Sequence, residues 1–182
     1  MLQVYITDLA AYNKGFLFGE LTTLPMNPKE LQKVVDKVLR GGEAICAIEY
    51  GYEKHEEYFI TDYEWMRHEF FDIDEYHNIH DLNDTLLDLQ FRSENELQAI
   101  AFLLSQGLAV DIENAIAKVD DVIIHENCTM KDLAYEILNQ CYGVDRLPPI
   151  IANNIDYERV ASEMEYDACY FEVGNDIYEY HA

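Results

Sequence analysis

Six carboxylates, Asp72, Asp74, Glu75, Asp81, Asp84 and Asp88, follow one another along the chain with no Lys or Arg between them. Three kinds of chemistry use such a set: metal coordination, general acid–base catalysis, and the presentation of negative charge to a cationic partner. Metal coordination has one foothold, His77 and His80 beside Asp81 and Asp84, but the local pattern does not place His77 inside a helix. A calcium loop is excluded because DIDEYHNIHDLN, residues 72–83, lacks the central glycine and the terminal glutamate that such a loop needs. Catalysis needs one acid singled out by a His, Ser or Cys partner, and no such arrangement stands out among the 36 acids. No catalytic residue, cofactor or metal is therefore expected, and presentation of charge remains.

The whole chain supports that use. Asp and Glu number 36 against 12 Lys and Arg, a formal net charge of −24 on 182 residues. Residues 1–40 carry a net +1 and residues 41–182 a net −25, so the acid is regional. Solubility asks for a net charge of only about 2 to 8 in a small domain. Disorder is excluded by a 49% hydrophobic and 13% aromatic content, enough to bury a core or several small ones. Adaptation to high salt would acidify the chain from its first residue, which the basic stretch before residue 41 contradicts. A duplex carries one negative charge per roughly 1.7 Å of axis, so 24 charges at that density would imitate about 40 Å of DNA. The partner implied is a protein with a basic DNA-binding groove; an acidic adaptor for a transcription or nucleoid factor is the alternative, and a small carboxylate enzyme or cation-binding protein the third. The candidate binding residues are Asp62, Glu64, Asp72, Asp74, Glu75, Asp81, Asp84, Asp88, Glu94, Asp111 and Glu113, acting as a distributed set.

Positioning these acids requires a scaffold that the pattern outlines as α+β. Val4–Thr7 and Phe16–Thr22 read as strands around a turn at Asn13 and Gly15. A helix opens at Asn27 and Pro28, buries Leu31, Val34, Val35 and Val38, and is expected to end at Gly41 and Gly42. Ala44–Glu49 and Glu57–Thr61 read as further strands. Leu82, Leu86 and Leu89 make a helical stripe with Asp81, Asp84 and Asp88 away from it, and a capping box runs from Ser93 to Glu96 before a helix stopped by Gly107. A short helix over Asp111–Lys118, a strand over Asp121–His125 and helices over Thr129–Tyr142 and Tyr157–Met164 follow, and Gly174-Asn175 marks a two-residue hairpin between Tyr170–Val173 and Ile177–Tyr180. The start MLQVYITDLA is not a signal peptide, and the longest apolar run, Ala99–Leu104, is far too short to span a bilayer, so a soluble, cytoplasmic protein is expected. Cys46, Cys128, Cys141 and Cys169 form no CxxC and are expected to be buried, reduced thiols. Trp65, Phe70 and Phe71 read as core.

Five segments in order resemble the ArdA-type antirestriction proteins, DNA mimics carried by mobile elements. They are VYITDLAAYNKGFLFGE at the start, with Val4, Tyr5, Ile6, Leu9, Tyr12, Asn13, Gly15 and Gly19 in place; FITDYE, 59–64; EYHNIHDLN, 75–83; VIIHENC, 122–128; and IDYE, 155–158. The resemblance implies no catalysis and an elongated, curved chain of three small domains: an α+β domain over 1–77, a helical one over 78–119, and an α+β dimerisation domain with a hairpin over 120–182. Their net charges are −8, −5 and −11. It also implies a homodimer through the C-terminal domain that occupies the DNA groove of a type I restriction-modification enzyme, at its methyltransferase core, with no direct nucleic-acid or membrane binding. Two segments depart from the family pattern: the helix over 129–142 carries Lys131 and few acids, and Glu158-Arg159-Val160-Ala161 stands where an aromatic-Gly-Arg-Asp run is usual.

Overall fold

A computed structural model of the chain describes residues 1–166 and 169–181. It mixes helix and strand, as the α+β reading requires, and divides into two compact units, Met1–Ile112 and Glu113–Ala182, each with a three-stranded antiparallel sheet. The first unit takes in residues 78–112. Asn83, fully buried, makes two bonds to the Met26 backbone, accepting its N–H at 2.8 Å and donating to its carbonyl at 3.0 Å. A buried amide must find partners, and this one finds both in a turn 57 residues away.

In the N-terminal unit β1 (Leu2–Asp8) lies between β2 (Gly19–Leu24) and β3 (Tyr58–Trp65). The strand expected from Phe16 begins only at Gly19. A single helical turn, α1 (Leu9–Asn13), intervenes, its N-terminus capped by the Asp8 side chain. One turn of LAAYN has no period to read, so it was not legible locally.

The first long helix, α2 (Pro28–Tyr50), corrects two further expectations. Gly41 and Gly42 do not end it, and Ala44–Glu49 is helix rather than strand. The glycines serve packing: a Cβ on Gly41 would lie 2.1 Å from the Phe18 ring, and one on Gly42 would lie 2.1 Å from Asp8 Oδ2. The helix stops at Gly51, whose φ of +80° suits a residue without a side chain.

Three helices follow: α3 (Ile79–Leu87), α4 (Glu94–Ser105) and α5 (Ile112–Ala117). Leu82, Leu86 and Leu89 are buried, the Ser93–Glu96 capping box is present, and Gly107 follows α4 at φ +67°, all as read from the sequence. Trp65 packs edge-on against Phe70 and Phe71; Phe70 is buried as core, while Trp65 and Phe71 are half-buried.

The C-terminal unit has sheet order β4 (Val122–His125), β6 (Asp176–Tyr180), β5 (Tyr170–Val173), with β5 and β6 joined at Gly174-Asn175. Two helices, α6 (Met130–Tyr142) and α8 (Tyr157–Glu165), pack together over it, and a turn of helix, α7 (Pro149–Ala152), lies between them. Met130, Leu133, Ala134, Ala161 and Ile177 form its core. Of the cysteines expected to be buried, Cys46 is, whereas Cys128 and Cys169 are half-buried and Cys141 is exposed.

Gly42→Ala should cost about 2 kcal/mol of stability through overpacking against Asp8, read from urea unfolding of the N-terminal core. A neutral result would mean that α2 and β1 are not held in this contact.

Candidate partner-binding surface

The N-terminal sheet is covered on one side. Leu2, Val4 and Ile6 are fully buried, and Lys37 of α2 reaches Glu20, the cross-strand partner of Ile6, at 2.6 Å, so α2 lies over that face. Strand register then assigns Asp62, opposite Tyr5, and Glu64, opposite Gln3, to the other face. Lys29, Lys33, Lys37 and Arg40 are all exposed on α2, whereas both β3 carboxylates project from the uncovered side of the sheet. Helix α2 carries Glu30, Asp36, Glu43 and Glu49 against those four bases, so the covered side is balanced in charge while the open face carries unpaired acids.

The return from β3 extends the acidic side. Glu75 O accepts the Ile60 N–H at 2.8 Å, which holds the 66–78 segment against β3. Asp74 closes a turn there, its Oδ1 accepting the Tyr76 N–H at 2.8 Å. The Glu75 charge and the hydrogen bond between the two side chains raise the Tyr76 hydroxyl above its ordinary pKa. In α3, Asp81, Asp84 and Asp88 are exposed while Leu82, Asn83 and Leu86 are buried, the amphipathic division the spacing requires. Burial, and after it the Asp81 charge, raise the Tyr58 hydroxyl, whose oxygen accepts the Ile79 N–H that opens this helix.

All eleven acids singled out from the sequence are exposed. Ten lie in the N-terminal unit and Glu113 in the other. Asp62, Glu64, Asp72, Asp74, Glu75, Asp81, Asp84, Asp88 and Glu113 make no ion pair among the described residues. The bases neutralise other acids: Lys14 pairs with Glu53, Lys33 with Glu30, Arg40 with Asp36, Lys54 with Glu56 and Arg92 with Glu96. Glu94 differs from the rest of the set. It is held by His68 at 2.9 Å and Arg67 at 2.7 Å, and the His68 hydrogen bond foremost, then the Arg67 charge, keep its carboxyl below the ordinary range. It clamps α4 to the segment after β3, a structural use that residues 26 and 27 positions apart did not reveal in the sequence.

No group of three or more His, Cys, Asp or Glu among the described residues is placed to hold a metal ion, and His77 instead accepts the Asp74 N–H through Nδ1 at 2.7 Å. Among the described residues no helix is long and apolar enough to cross a membrane. The sequence reading did miss Asp8 and His55, a fully buried pair with Nδ1 and Oδ2 2.7 Å apart. They are 47 residues apart, so only the fold joins them.

A sequence model of a family described as antirestriction protein (ArdA) matches residues 4–179. No curated protein matches the chain.

Asp88 sits at the C-terminal end of α3, four residues after Asp84, so both the helix dipole and like-charge repulsion oppose it. Asp88→Lys should therefore stabilise the protein, by about 0.5 kcal/mol in urea unfolding, while weakening partner binding. A loss of stability would mean that the residue serves the fold. Glu94, with its carboxyl held down in the folded state, adds stability that is present above the ordinary carboxylate pKa and is lost as pH falls through the lowered value. Glu94→Gln should accordingly shrink the acid limb of the melting-temperature profile.

Proposed function

The chain belongs to the ArdA family of antirestriction proteins, and on that premise we propose that it inhibits by imitating DNA. Its exposed carboxylates occupy the DNA-binding groove of a type I restriction-modification enzyme, at the methyltransferase core, and block restriction and modification together. The observation that carries this reading is the set of acids in the N-terminal unit that make no ion pair among the described residues, on the open sheet face, on the 66–78 return and along α3, whereas the acids of α2 are matched in number by its bases. Carboxylates on successive turns of α3 lie about 5 to 6 Å apart, close to the spacing of phosphates along a strand. A partner binding them releases the anions held in its own groove, which makes the affinity depend steeply on salt.

In the same reading the chain acts as three segments, 1–77, 78–119 and 120–182, and pairs with a second copy through the last. Tyr142, Ile150 and Ile151 in that segment stand exposed, apolar surface that a second copy would cover. Mechanism here is binding alone, with no bond made or broken.

Competition decides the matter: purified protein is titrated against labelled duplex bound to a type I methyltransferase core, at low and at physiological salt. Near-stoichiometric displacement is expected, weakening at least about tenfold as salt rises. Single neutral changes such as Asp84→Asn should alter potency by no more than about twofold, because each is one charge among many, whereas combined Asp81→Lys, Asp84→Lys and Asp88→Lys should abolish displacement. Loss of inhibition from one neutral change would overturn a distributed mimic.

A further inference from the structure

The open face of the N-terminal sheet carries a groove that charge imitation does not require. Tyr5, Tyr12, Leu17 and Phe59 line it together with Asp62 and Glu75. Its shape follows from local structure. The register of β1 on β3 slips between Tyr5 and Ile6, leaving Thr61 as the extra residue of a bulge, and bulges re-aim the side chains beside them. Phe59 sits on the same face as Thr7 and is covered edge-on by Tyr12, ring centroids 5.1 Å apart. The bond from Ile60 N–H to Glu75 O brings the second carboxylate to the wall. Although Tyr12 rests on Phe59, it is 51% exposed, and Leu17 is 69% exposed.

A groove with aromatic walls and two carboxylates selects for one kind of group. Asp62 and Glu75 make no ion pair among the described residues, and no Lys, Arg or His lines the groove. An ammonium would satisfy the charge but not the shape. A guanidinium is planar, stacks on an aromatic face and carries five N–H donors around its edge for carboxylates on either side. We propose that the groove seats an arginine side chain presented by the basic protein partner. A DNA duplex has no aromatic groove with flanking carboxylates on its outer surface, so this contact is available to the inhibitor and not to the substrate it displaces. The proposal deepens the reading above and rests on it only for the identity of the partner.

Two measurements test it on the full chain. In the first, N-acetyl-arginine amide is titrated against the protein and followed by aromatic proton–carbon NMR. Saturable shifts confined to the rings of Tyr5, Tyr12 and Phe59 are expected, weaker with N-acetyl-lysine amide, and lost in Tyr12→Ala and in the combined Asp62→Asn and Glu75→Gln variant. All three positions are exposed, and an unchanged melting curve shows that each variant folds. Shifts that do not saturate, or that spread over tyrosines of both units, would mean diffuse counterion attraction and would overturn the proposal. In the second, Tyr12→Ala, which leaves every charge in place, is compared with the wild type in displacing duplex from the methyltransferase core. The groove predicts a loss of roughly fivefold to tenfold, with Tyr12→Phe retaining potency; equal potency of Tyr12→Ala would overturn it. Should the wild type displace no duplex, the DNA-mimic reading fails and the NMR titration still decides the groove.

Discussion

The N-terminal unit is organised around one buried carboxylate. Asp8 ends β1 with no exposed surface, and its two oxygens are both used: Oδ1 accepts the Ala11 N–H at 2.8 Å and caps α1, while Oδ2 lies 2.7 Å from His55 Nδ1. Its own N–H donates to Phe18 O at 3.0 Å, and Gly42 leaves room for the side chain under α2. Strand, short helix, long helix and the approach to β3 thus meet at a single residue. A buried charge is tolerable only when it is paired and hydrogen-bonded. His55 Nε2, on the far side of the ring, is buried with no hydrogen-bond partner among the described residues. The second attachment of the His55 segment is its N–H, which donates to Glu43 of α2 at 3.0 Å.

Because the interior is fixed in this way, the surface is free to carry charge that works against the fold. None of the helices α2, α3, α4, α6 and α8 has a base in its last turn, where a cation would favour the dipole. Part of the cost is offset at the other end of the helices. Asn27, Asn78, Ser93, Thr129 and Asp156 all cap N-termini with their side chains, and Glu96 and Asp132 complete reciprocal boxes. The backbone N–H of Ser93 and the hydroxyl of Thr129, as the leading contacts, hold those two carboxyls below their ordinary range. The acids therefore divide into those that build the molecule, Asp8, Glu94, Glu96 and Asp132 among them, and those such as Asp72, Asp81 and Asp88 that make no ion pair among the described residues.

That division marks how far the sequence could be read. Exposure of the chosen acids followed from composition and helical spacing, and it holds at every position. Sidedness did not, since it depends on which sheet face α2 covers and on a register slip opposite Tyr5 and Ile6, both set by contacts distant in sequence. The glycines make the same point. Gly107 and Gly143 end helices at φ +67° and +64°, and Gly174 turns a hairpin at +65°, because each meets its demand locally. Gly41 and Gly42 look the same in the chain but lie mid-helix against Phe18 and Asp8. A Gly-Gly pair reads as a stop until the partner that needs its missing Cβ is known.

The two departures from the family pattern prove to be one change in space. Helices α6 and α8 pack on each other, and Lys131, the base that interrupts the first, lies 2.9 Å from Glu158, which opens the second. The Glu158 carboxylate is the leading cause that raises the Lys131 ammonium above its ordinary pKa. The pair is neutral as a whole, so the base does not subtract from the field so much as consume an acid supplied beside it. Arg159 is used likewise, reaching Glu163 one turn on at 3.3 Å. With these pairs set aside, Glu126, Glu136 and Glu172 remain exposed in the C-terminal unit with no ion pair among the described residues, spread over the end of β4, α6 and β5. Negative charge there depends on several elements at once and not on the acidity of one helix, so a local loss of the family's acidic run leaves the rest of the field in place.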